Sequence, residues 1–290
     1  MPPAARASAP SFDRLARRAL AEDRAALDRT TRAVLPRPVR AEGRVIAQGR
    51  GTLSGLQAAI AAARAVGLAV SRARKDGTKV RPGTVVLTVR GDARAILRAE
   101  RTILNLLMHA SGVATATARA VRAAGGGRSA LRVLATRKTL PGLRDLEKAA
   151  VIHGGGHPHR RDLSEAILVK TNHLALVSLE EAVRRARARA REGEGVEVEV
   201  RTPREALRAV RAGATSLLVD NVSPTRARSV VAVLRAERLR GRVSVELSGG
   251  ITAQNLRRFR SVGADAASLG SLTHSAVAVP FHLRLRPLPG

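Results

Sequence analysis

The second half of this chain alternates short apolar runs with segments of helical periodicity. The apolar runs span residues 131–135, 166–169, 196–200, 216–219, 243–247 and 266–269. Runs of this length are typical of buried strands, and strands that alternate with helices form βα units in a parallel sheet. Six such units within about 140 residues predict an α/β barrel or part of one.

The first part of the chain has a different pattern. Helical segments and β-type runs occur there at residues 12–26, 43–49, 53–65 and 84–89. This mixture predicts a small α+β unit. A helical stretch follows at residues 92–124, and Ser111-Gly112 predicts a break within it. Because no low-complexity linker separates the two parts, we expect two closely packed domains.

Composition excludes several classes of protein. Cysteine is absent, which excludes disulfides, thiolate metal sites and a cysteine nucleophile. No apolar stretch reaches the roughly 20 residues that span a bilayer, and the first ten residues lack the apolar run of a signal peptide. We therefore expect a soluble, cytoplasmic protein.

The formal net charge of +29 raises the possibility of nucleic-acid binding. The arginines are spread along helix-like segments such as residues 182–191, where a solvated helix face is the ordinary explanation. Single-strand binding also uses aromatic stacking platforms, which three Phe without Tyr or Trp do not supply. A positive field that attracts small polyanionic substrates fits better, and a basic nucleic-acid-binding protein is the alternative from a different class.

Charged residues or glycines lie within or shortly after the apolar runs, near the end of each predicted strand. In chain order they are Arg137-Lys138, Lys170, Glu199, Asp220, Ser248-Gly249-Gly250 and Gly270-Ser271. Parallel α/β barrels build their active sites at the carboxyl ends of the strands. Six such endings in order predict one site at that end of the barrel.

The basic side chains at these ends suit an acidic ligand. Arg137, Lys138 and Lys170 follow the first two runs, and Arg160 lies in the segment between them. Converging guanidinium and ammonium groups bind carboxylates or phosphates. Only five of the 52 Lys and Arg residues are lysine, so lysine at 138 and 170 indicates a need for a compact point charge.

The remaining strand ends suit a magnesium-bound phosphosugar. Glu199 and Asp220 offer carboxylates, which suit Mg²⁺ and ribose hydroxyls. Backbone N–H groups where helices are predicted to begin suit a terminal phosphate. These groups come from Ser248, Gly249, Gly250, Gly270 and Ser271.

The segment G-G-G-H-P-H-R at residues 154–160 has two interpretations. His157 and His159 could begin a zinc site, but no third ligand follows at ligand spacing. The favoured interpretation is that the glycines let the backbone approach a ligand while His159 and Arg160 direct donors at a carboxylate.

Eight motifs, several of which contain these residues, resemble the quinolinate phosphoribosyltransferase family over nearly the whole chain. They are A-E-R-T-I-L-N-L-L-M-H-A-S-G-V-A-T (99–115), A-T-R-K-T-L-P-G-L-R (135–144), G-G-G-H-P-H-R (154–160), L-V-K-T-N-H (168–173), V-E-V-E-V (196–200), V-D-N (219–221), L-S-G-G-I-T (247–252) and L-G-S-L-T-H-S (269–275). Both their order and their spacing agree with the family.

The resemblance implies an α/β fold with an N-terminal α/β sandwich domain followed by an incomplete α/β barrel. The domains would be residues 1–110 and 111–275, with the C-terminal segment 276–290 returning to the first domain. A homodimer or hexamer is implied as well, in which Arg101 reaches into the neighbouring subunit's site.

The implied activity is transfer of the phosphoribosyl group of phosphoribosyl pyrophosphate (PRPP) to quinolinate with loss of CO2, with Mg²⁺ as cofactor. The implied quinolinate-binding residues are Arg101, Arg137, Lys138, His159, Arg160 and Lys170. The implied catalytic residues are Lys138, Lys170, Glu199 and Asp220, of which Glu199 and Asp220 also face Mg²⁺. The 5′-phosphate of PRPP would contact Ser248, Gly249, Gly250, Gly270 and Ser271.

Departures from the family pattern, chiefly Thr171, and two rival hypotheses qualify this assignment. Thr171 stands where family members usually carry an acidic residue, which affects how Lys170 is held. A molybdenum-transport-associated paralogue with the same fold would act on another base, although L-V-K-T-N-H is closer to the quinolinate enzymes. A catalytically weakened homologue would bind PRPP and turn over slowly.

Overall fold

The computed structural model describes residues 12–125 and 131–289. Its first elements are α1 (Asp13–Glu22), α2 (Arg29–Val34), β1 (Arg40–Ala47), β2 (Gly51–Thr52), α3 (Leu56–Ala65), β3 (Ala69–Ala73), β4 (Lys79–Val80), β5 (Val85–Asp92) and α4 (Ala93–Ala124). The later elements are β6 (Arg132–Leu134), α5 (Arg144–His153), β7 (Ile167–Val169), α6 (Thr171–Leu174), α7 (Leu179–Arg189), β8 (Val196–Val200), α8 (Pro203–Arg211), β9 (Ser216–Asp220), α9 (Pro224–Ala236), β10 (Ser244–Ser248), β11 (Ala266–Ser268), α10 (Ser271–His274) and β12 (Phe281–Pro287). Short 3₁₀ helices occupy Ala25–Leu27, Arg240–Arg242 and Leu256–Val262.

The described chain divides into two compact units. The N-terminal unit contains residues 12–118, 139–155 and 272–289, and the barrel unit contains residues 119–125, 131–138 and 156–271. This division assigns α5 to the N-terminal unit, whereas the predicted domain limits at residues 110 and 275 stay a prediction. Among the described residues, none of the helices combines the length and the apolar character that a membrane crossing requires.

The N-terminal unit is built on an antiparallel sheet with strand order β12-β1-β5-β3. Two of its strands, β3 and β12, were not among the strands predicted from apolar runs, because charged residues interrupt their apolar positions. Helix α4 lies close to β1: a Cβ atom on Gly43 would come within 2.9 Å of Ile96 Cγ2. Glycine at 43 therefore permits the close approach of helix and sheet.

Helix α4 is continuous through Ser111-Gly112, so the predicted break is wrong. A Cβ atom at Gly112 would lie 2.5 Å from the carbonyl oxygen of Val277. Gly112 therefore serves a close backbone approach within the N-terminal unit. The packing that stabilises the helix outweighs the roughly 1 kcal/mol that glycine costs inside a helix.

A buried carboxylate joins three strands of the N-terminal sheet. The Glu42 side chain on β1 is 2% exposed and accepts hydrogen bonds from Arg90 Nε at 2.8 Å, Arg44 Nε at 2.8 Å and Arg286 Nε at 3.0 Å. Arg90 and Arg286 lie opposite Glu42 in the strand register. Hydrogen bonding from Arg90 first, and then from Arg44, lowers the pKa of Glu42 from 4.5 to about 2.

This pKa predicts an acid-sensitive contribution of Glu42 to stability. A carboxyl group whose pKa is lower in the folded than in the unfolded chain stabilises the fold above its unfolded value, and this stabilisation is lost as pH falls through the folded value. The free energy of unfolding of wild type minus that of Glu42→Gln should be largest near neutral pH. It should shrink below pH 4.5 and be mostly lost by pH 2. Urea denaturation of both proteins at stepped pH measures it.

Glu237→Gln is the matched control, because Glu237 pairs with Arg211 on an exposed surface. Exposed pairs of this kind contribute about 0–1 kcal/mol, so this variant should follow wild type across the pH range. If the free energies of unfolding of wild type and Glu42→Gln differed by the same amount at every pH, the acid sensitivity could not be assigned to Glu42.

The barrel unit is built on a parallel sheet with strand order β6-β11-β10-β9-β8-β7. All six apolar runs predicted as strands form these six strands. Within the described residues β6 and β7 are the sheet edges and do not pair with each other, so the barrel is incomplete.

Side-chain alternation on β8 separates the two faces of this sheet. Val196, Val198 and Val200 are fully buried, as expected for a face covered by helices. Glu197 and Glu199 alternate with them and therefore project from the opposite face. The two glutamates thus share the concave face of the incomplete barrel, where the predicted site lies.

Candidate active site

The strand register brings the predicted strand-end residues into neighbouring positions. Glu199 on β8 lies opposite Leu218 on β9, two residues before Asp220. Asp220 lies opposite Ser248 on β10. All the predicted site residues except Arg101 belong to the barrel unit. Arg101 is an exposed residue of α4 in the N-terminal unit, and its role in a neighbouring subunit's site stays a prediction.

Backbone pairing places the segment after α5 beside strand β6. The N–H of His157 donates to the Val133 carbonyl at 2.9 Å, and the N–H of Ala135 donates to the His157 carbonyl at 2.9 Å. This pairing brings Arg160 near Arg137, which follows β6. Burial, and secondly the charge of Arg137, lower the pKa of Arg160. Guanidinium groups that influence each other in this way suit an anionic ligand.

Gly154, predicted to let the backbone approach a ligand, serves packing inside the N-terminal unit. It is buried at the end of α5, and a Cβ atom there would lie 2.5 Å from the carbonyl oxygen of Ala114. The segment therefore contains a packing glycine as well as the residues directed towards the site.

A cluster that the sequence analysis did not identify lies beneath Arg160. His159 Nε2 is 3.3 Å from Glu246 Oε2 and 4.0 Å from Glu197 Oε2. Burial, and secondly the charge of Glu246, raise the pKa of Glu197 to about 7. One feature of the sequence could have indicated this cluster. Glutamates lie inside the apolar strands, and Glu197 shares the concave face with Glu199. Their proximity to His159 depends on strands far apart in the sequence.

Lys170 directly follows β7 and precedes α6 as its N-cap residue, with an exposed side chain. Its backbone N–H donates to His173 Nδ1 at 2.8 Å, which fixes the turn. Among the described residues, no acidic side chain forms a salt bridge with its ammonium group. Lys138, the other predicted lysine, is also exposed, in a turn where its N–H donates to Thr136 Oγ1 at 3.0 Å.

Thr171, the departure from the family pattern, contacts a predicted catalytic carboxylate. Its Oγ1 donates a hydrogen bond to Glu199 Oε1. Arg201 Nη2 lies 3.8 Å from the same oxygen. The hydroxyl group therefore fixes the orientation of Glu199, which an acidic side chain at the same position would repel.

Glu199 and Asp220 fit the predicted magnesium ion. Glu199 is buried and Asp220 is half-buried, and both belong to neighbouring strands of one face. In the part of the chain that the structure describes, the Asp220 carboxylate has no hydrogen-bond or salt-bridge partner. Carboxylate oxygens are the hard donors that Mg²⁺ prefers, so the pair suits this cation directly or through water.

The loop after β10 has the geometry of a phosphate site. Gly249 has φ +82°, and a Cβ atom there would lie 2.4 Å from the backbone nitrogen of Asn221. The N–H of Asn221 donates to the Ser248 carbonyl at 2.9 Å, which holds the ends of β9 and β10 together. No described residue accepts a hydrogen bond from the N–H of Gly249 or Gly250, so both can face a phosphate.

The helix predicted to begin at these glycines does not form there. A turn at residues 251–255 separates them from the 3₁₀ helix Leu256–Val262. Asn255 closes this turn, because its Nδ2 donates to the Gly250 carbonyl and its Oδ1 accepts from Thr252 N–H, both at 2.9 Å. At the second predicted phosphate loop, α10 does begin at Ser271, directly after Gly270.

Known proteins match both parts of the chain. Residues 28–111 match the family described as "Quinolinate phosphoribosyl transferase, N-terminal domain", and residues 113–284 match "Quinolinate phosphoribosyl transferase, C-terminal domain". A protein of Methanothermobacter thermautotrophicus named "Probable nicotinate-nucleotide pyrophosphorylase (carboxylating)" is 39% identical over 262 residues, covering 90% of this chain and 94% of that protein. A Mycobacterium leprae protein named "Nicotinate-nucleotide pyrophosphorylase (carboxylating)" is 40% identical over 276 residues, covering 93% and 95%.

A solved structure agrees over the same length. The crystal structure of NadC from Streptococcus pyogenes has a TM-score of 0.89 and 35% sequence identity, covering 99% of this chain and 100% of that one. This agreement confirms the predicted fold class, an N-terminal α/β sandwich domain with an incomplete α/β barrel. The chain therefore belongs to the quinolinate phosphoribosyltransferase family.

Proposed function

We propose that this chain is a carboxylating nicotinate-nucleotide diphosphorylase of NAD biosynthesis. It transfers the phosphoribosyl group of PRPP to quinolinate and releases nicotinate mononucleotide, pyrophosphate and CO2. One observation carries the proposal. The carboxyl ends of the strands of the barrel unit bring together two guanidinium groups, two carboxylates and a glycine loop with available N–H groups.

The basic residues receive the quinolinate carboxylates. Arg137 and Arg160 form the half-buried part of this site, and Lys138 and Lys170 supply exposed point charges that also lie towards PRPP. Two carboxylates on neighbouring ring atoms need several cations, because each binds best when both oxygens are matched by donors. His159, which the resemblance implies for this set, contributes through its neighbour Arg160.

Glu199 and Asp220 face the ribose of PRPP, and the loops at Gly249 and Gly270 face its 5′-phosphate. Mg²⁺, held by these carboxylates directly or through water, would neutralise charge on the departing pyrophosphate. The carboxylates also stabilise the positive charge that develops at ribose C1 as its bond to pyrophosphate breaks. No covalent intermediate with the protein is required, because the site mainly positions and neutralises.

The order of bond changes follows from charge. The bond from C1 to pyrophosphate breaks, and the pyridine nitrogen forms a bond to C1 and becomes a pyridinium. That ring then accepts the electron pair released when the 2-carboxylate leaves as CO2, and a proton replaces it at ring carbon 2. Lys138 and Lys170 stabilise the anionic groups on both substrates during these steps.

Turnover of the purified protein with quinolinate, PRPP and Mg²⁺ tests this function. Chromatography should detect nicotinate mononucleotide only when all three are present, and quinolinate labelled at its 2-carboxylate should release labelled CO2. Pyrophosphate release with another acidic base, and none with quinolinate, would favour the molybdenum-associated paralogue. Salt-sensitive binding to RNA or DNA without any turnover would favour the nucleic-acid-binding alternative.

The proposed enzyme is a cytoplasmic homo-oligomer, a dimer or a hexamer. Arg101 would then supply a cation to the neighbouring subunit's site. Mixing an Arg101→Ala protein with an inactive barrel-site variant should restore partial turnover, since mixed oligomers contain one site with both intact contributions. Absence of restored activity in mixed oligomers verified by mass would contradict the shared site.

Thr171 provides a test that is specific to this chain. Thr171→Val keeps the shape of the side chain but removes the hydrogen bond to Glu199, and we expect kcat to fall about 10-fold, as for loss of a hydrogen bond to a charged group. Thr171→Ser keeps the hydroxyl and should stay within about threefold of wild type. Steady-state kinetics separate kcat from KM, and a Thr171→Val enzyme with wild-type kcat would show that Glu199 is held by other contacts.

A further inference from the structure

Both ring nitrogens of His159 have protein partners. The backbone N–H of Arg160 donates to His159 Nδ1 at 2.6 Å, so this hydrogen-bond network assigns Nδ1 as unprotonated. The ring proton then lies on Nε2, which faces Glu246 Oε2 at 3.3 Å. His159 adopts φ +53°, a left-handed conformation that is uncommon for residues other than glycine. The surrounding contacts must hold it there.

The carboxylates below His159 are held by the barrel strands. Glu246 on β10 and Glu197 on β8 have side chains that are 9% and 14% exposed. Ser216 Oγ donates to Glu197 Oε1 at 3.2 Å, and Glu246 Oε1 is buried without a hydrogen-bond partner among the described residues. Because β-strands are rigid compared with loops, this pair gives His159 a fixed point of attachment.

The contacts of His159 with these carboxylates in turn hold Arg160. Its Nη1 donates to the Ala166 carbonyl at 3.0 Å, and its backbone is tied to the His159 ring. Burial and the charge of Arg137 lower the pKa of its guanidinium group, whereas the charges of Glu197 and Glu246 raise it. The two carboxylates therefore offset the repulsion between the paired guanidinium groups.

A metal ion is the other way to stabilise such a cluster. The potential ligand atoms of His159, Glu197 and Glu246 lie within 4.8 Å of one another. Arg160 and Arg137 already supply positive charge beside these carboxylates, and a divalent cation would be repelled by both. The geometry therefore favours a purely protein-made support over a metal site.

We propose that Glu246 and Glu197 are positioning residues that act through His159 to hold Arg160 in place for a quinolinate carboxylate. This inference rests on the proposed function for the identity of the ligand. His159 then acts on the substrate indirectly, through the backbone of Arg160. Misplacing a binding group by about 1 Å can cost on the order of 100-fold in rate, so the support matters although it touches no substrate atom.

Glu246→Leu and Glu246→Gln test the proposal together. Leucine removes the acceptor for His159 Nε2–H and should raise KM for quinolinate about 10-fold, with KM for PRPP changed by less than about twofold. Glutamine keeps an acceptor oxygen and should restore KM for quinolinate to within about threefold of wild type. Glu180→Gln is the matched control, because this carboxylate pairs with Arg208 on an exposed surface and its loss should leave both KM values unchanged.

The ring tautomer of His159 gives a measurement that does not depend on turnover. Long-range ¹H–¹⁵N correlation spectra, with His159→Asn to identify the resonance, should show the Nε2–H form in wild type and in Glu246→Gln. In Glu246→Leu the ring should leave its contact with the Arg160 N–H, and the Nε2–H preference should be lost with that contact. A protonated Nδ1 in wild type, or equal increases in both KM values in Glu246→Leu, would overturn the proposal. Wild type that shows the expected tautomer but no turnover with quinolinate would instead refute only the proposed function.

Discussion

Replacing Lys170 by alanine is expected to lower kcat/KM by about 100- to 1000-fold, the usual cost of removing one group that stabilises transition-state charge. Lys170 directly follows β7 at the carboxyl edge of the barrel sheet, and no acidic residue of the described chain forms a salt bridge with it. Its ammonium group is therefore available to the carboxylate and phosphate groups of the two substrates. Because the side chain is exposed, the fold should be affected by no more than about 0.5 kcal/mol.

Two variants make this test specific. Lys75→Ala removes an exposed lysine of the N-terminal unit and should leave turnover unchanged. Lys170→Arg keeps the charge but replaces a compact ammonium with a planar fork, so it should recover only part of the rate. Steady-state kinetics with each substrate varied, together with thermal melting, separate loss of function from loss of folding. Near-normal turnover by Lys170→Ala would refute the site assignment.

The second large effect is expected at Gly249. Alanine there would place its Cβ atom 2.4 Å from the nitrogen and 2.5 Å from the Cα of Asn221, and neither backbone atom can move without distorting β9. Together with the strain at φ +82°, this should lower the free energy of unfolding by about 2–4 kcal/mol. The loop would also lose its geometry, so PRPP binding should weaken by at least about 10-fold.

Gly250→Ala is the matched control for this change. Gly250 also has a positive φ of +61°, but nothing lies within 4 Å of a Cβ atom there. Its cost should be limited to the left-handed conformation, about 1–2 kcal/mol. Urea denaturation measures the stability of both variants, and calorimetry measures PRPP binding. Equal stability and equal PRPP affinity in the two variants would contradict the proposed crowding at Asn221.

The loss of stability that we expect at low pH arises from Glu42 and not from residues of the active site. Glu42 stabilises the N-terminal sheet through three arginines on β1, β5 and β12. Its effect should therefore appear in unfolding of the N-terminal unit and leave the substrate-binding residues of the barrel unit unchanged. This separates pH effects on folding from pH effects on turnover.

The sequence by itself determined the barrel strands and the residues at their ends. Short apolar runs bounded by helical segments have few alternatives to a parallel sheet, and all such strands point their carboxyl ends the same way. Lys170, Glu199 and Asp220 could therefore be predicted as neighbours without coordinates. The same reasoning failed at Ser111-Gly112, because local propensity predicts a helix break where tertiary packing keeps the helix continuous.

Only the tertiary structure decided which side chains support these residues. Glu197 and Glu246 are separated by two βα units in sequence, and His159 reaches them because His157 pairs with β6. Glu42 likewise meets Arg286 only through the pairing of the first and last strands of its sheet. Periodicity reports the face on which a side chain lies, but contacts between distant segments depend on strand order and register, which no local pattern encodes.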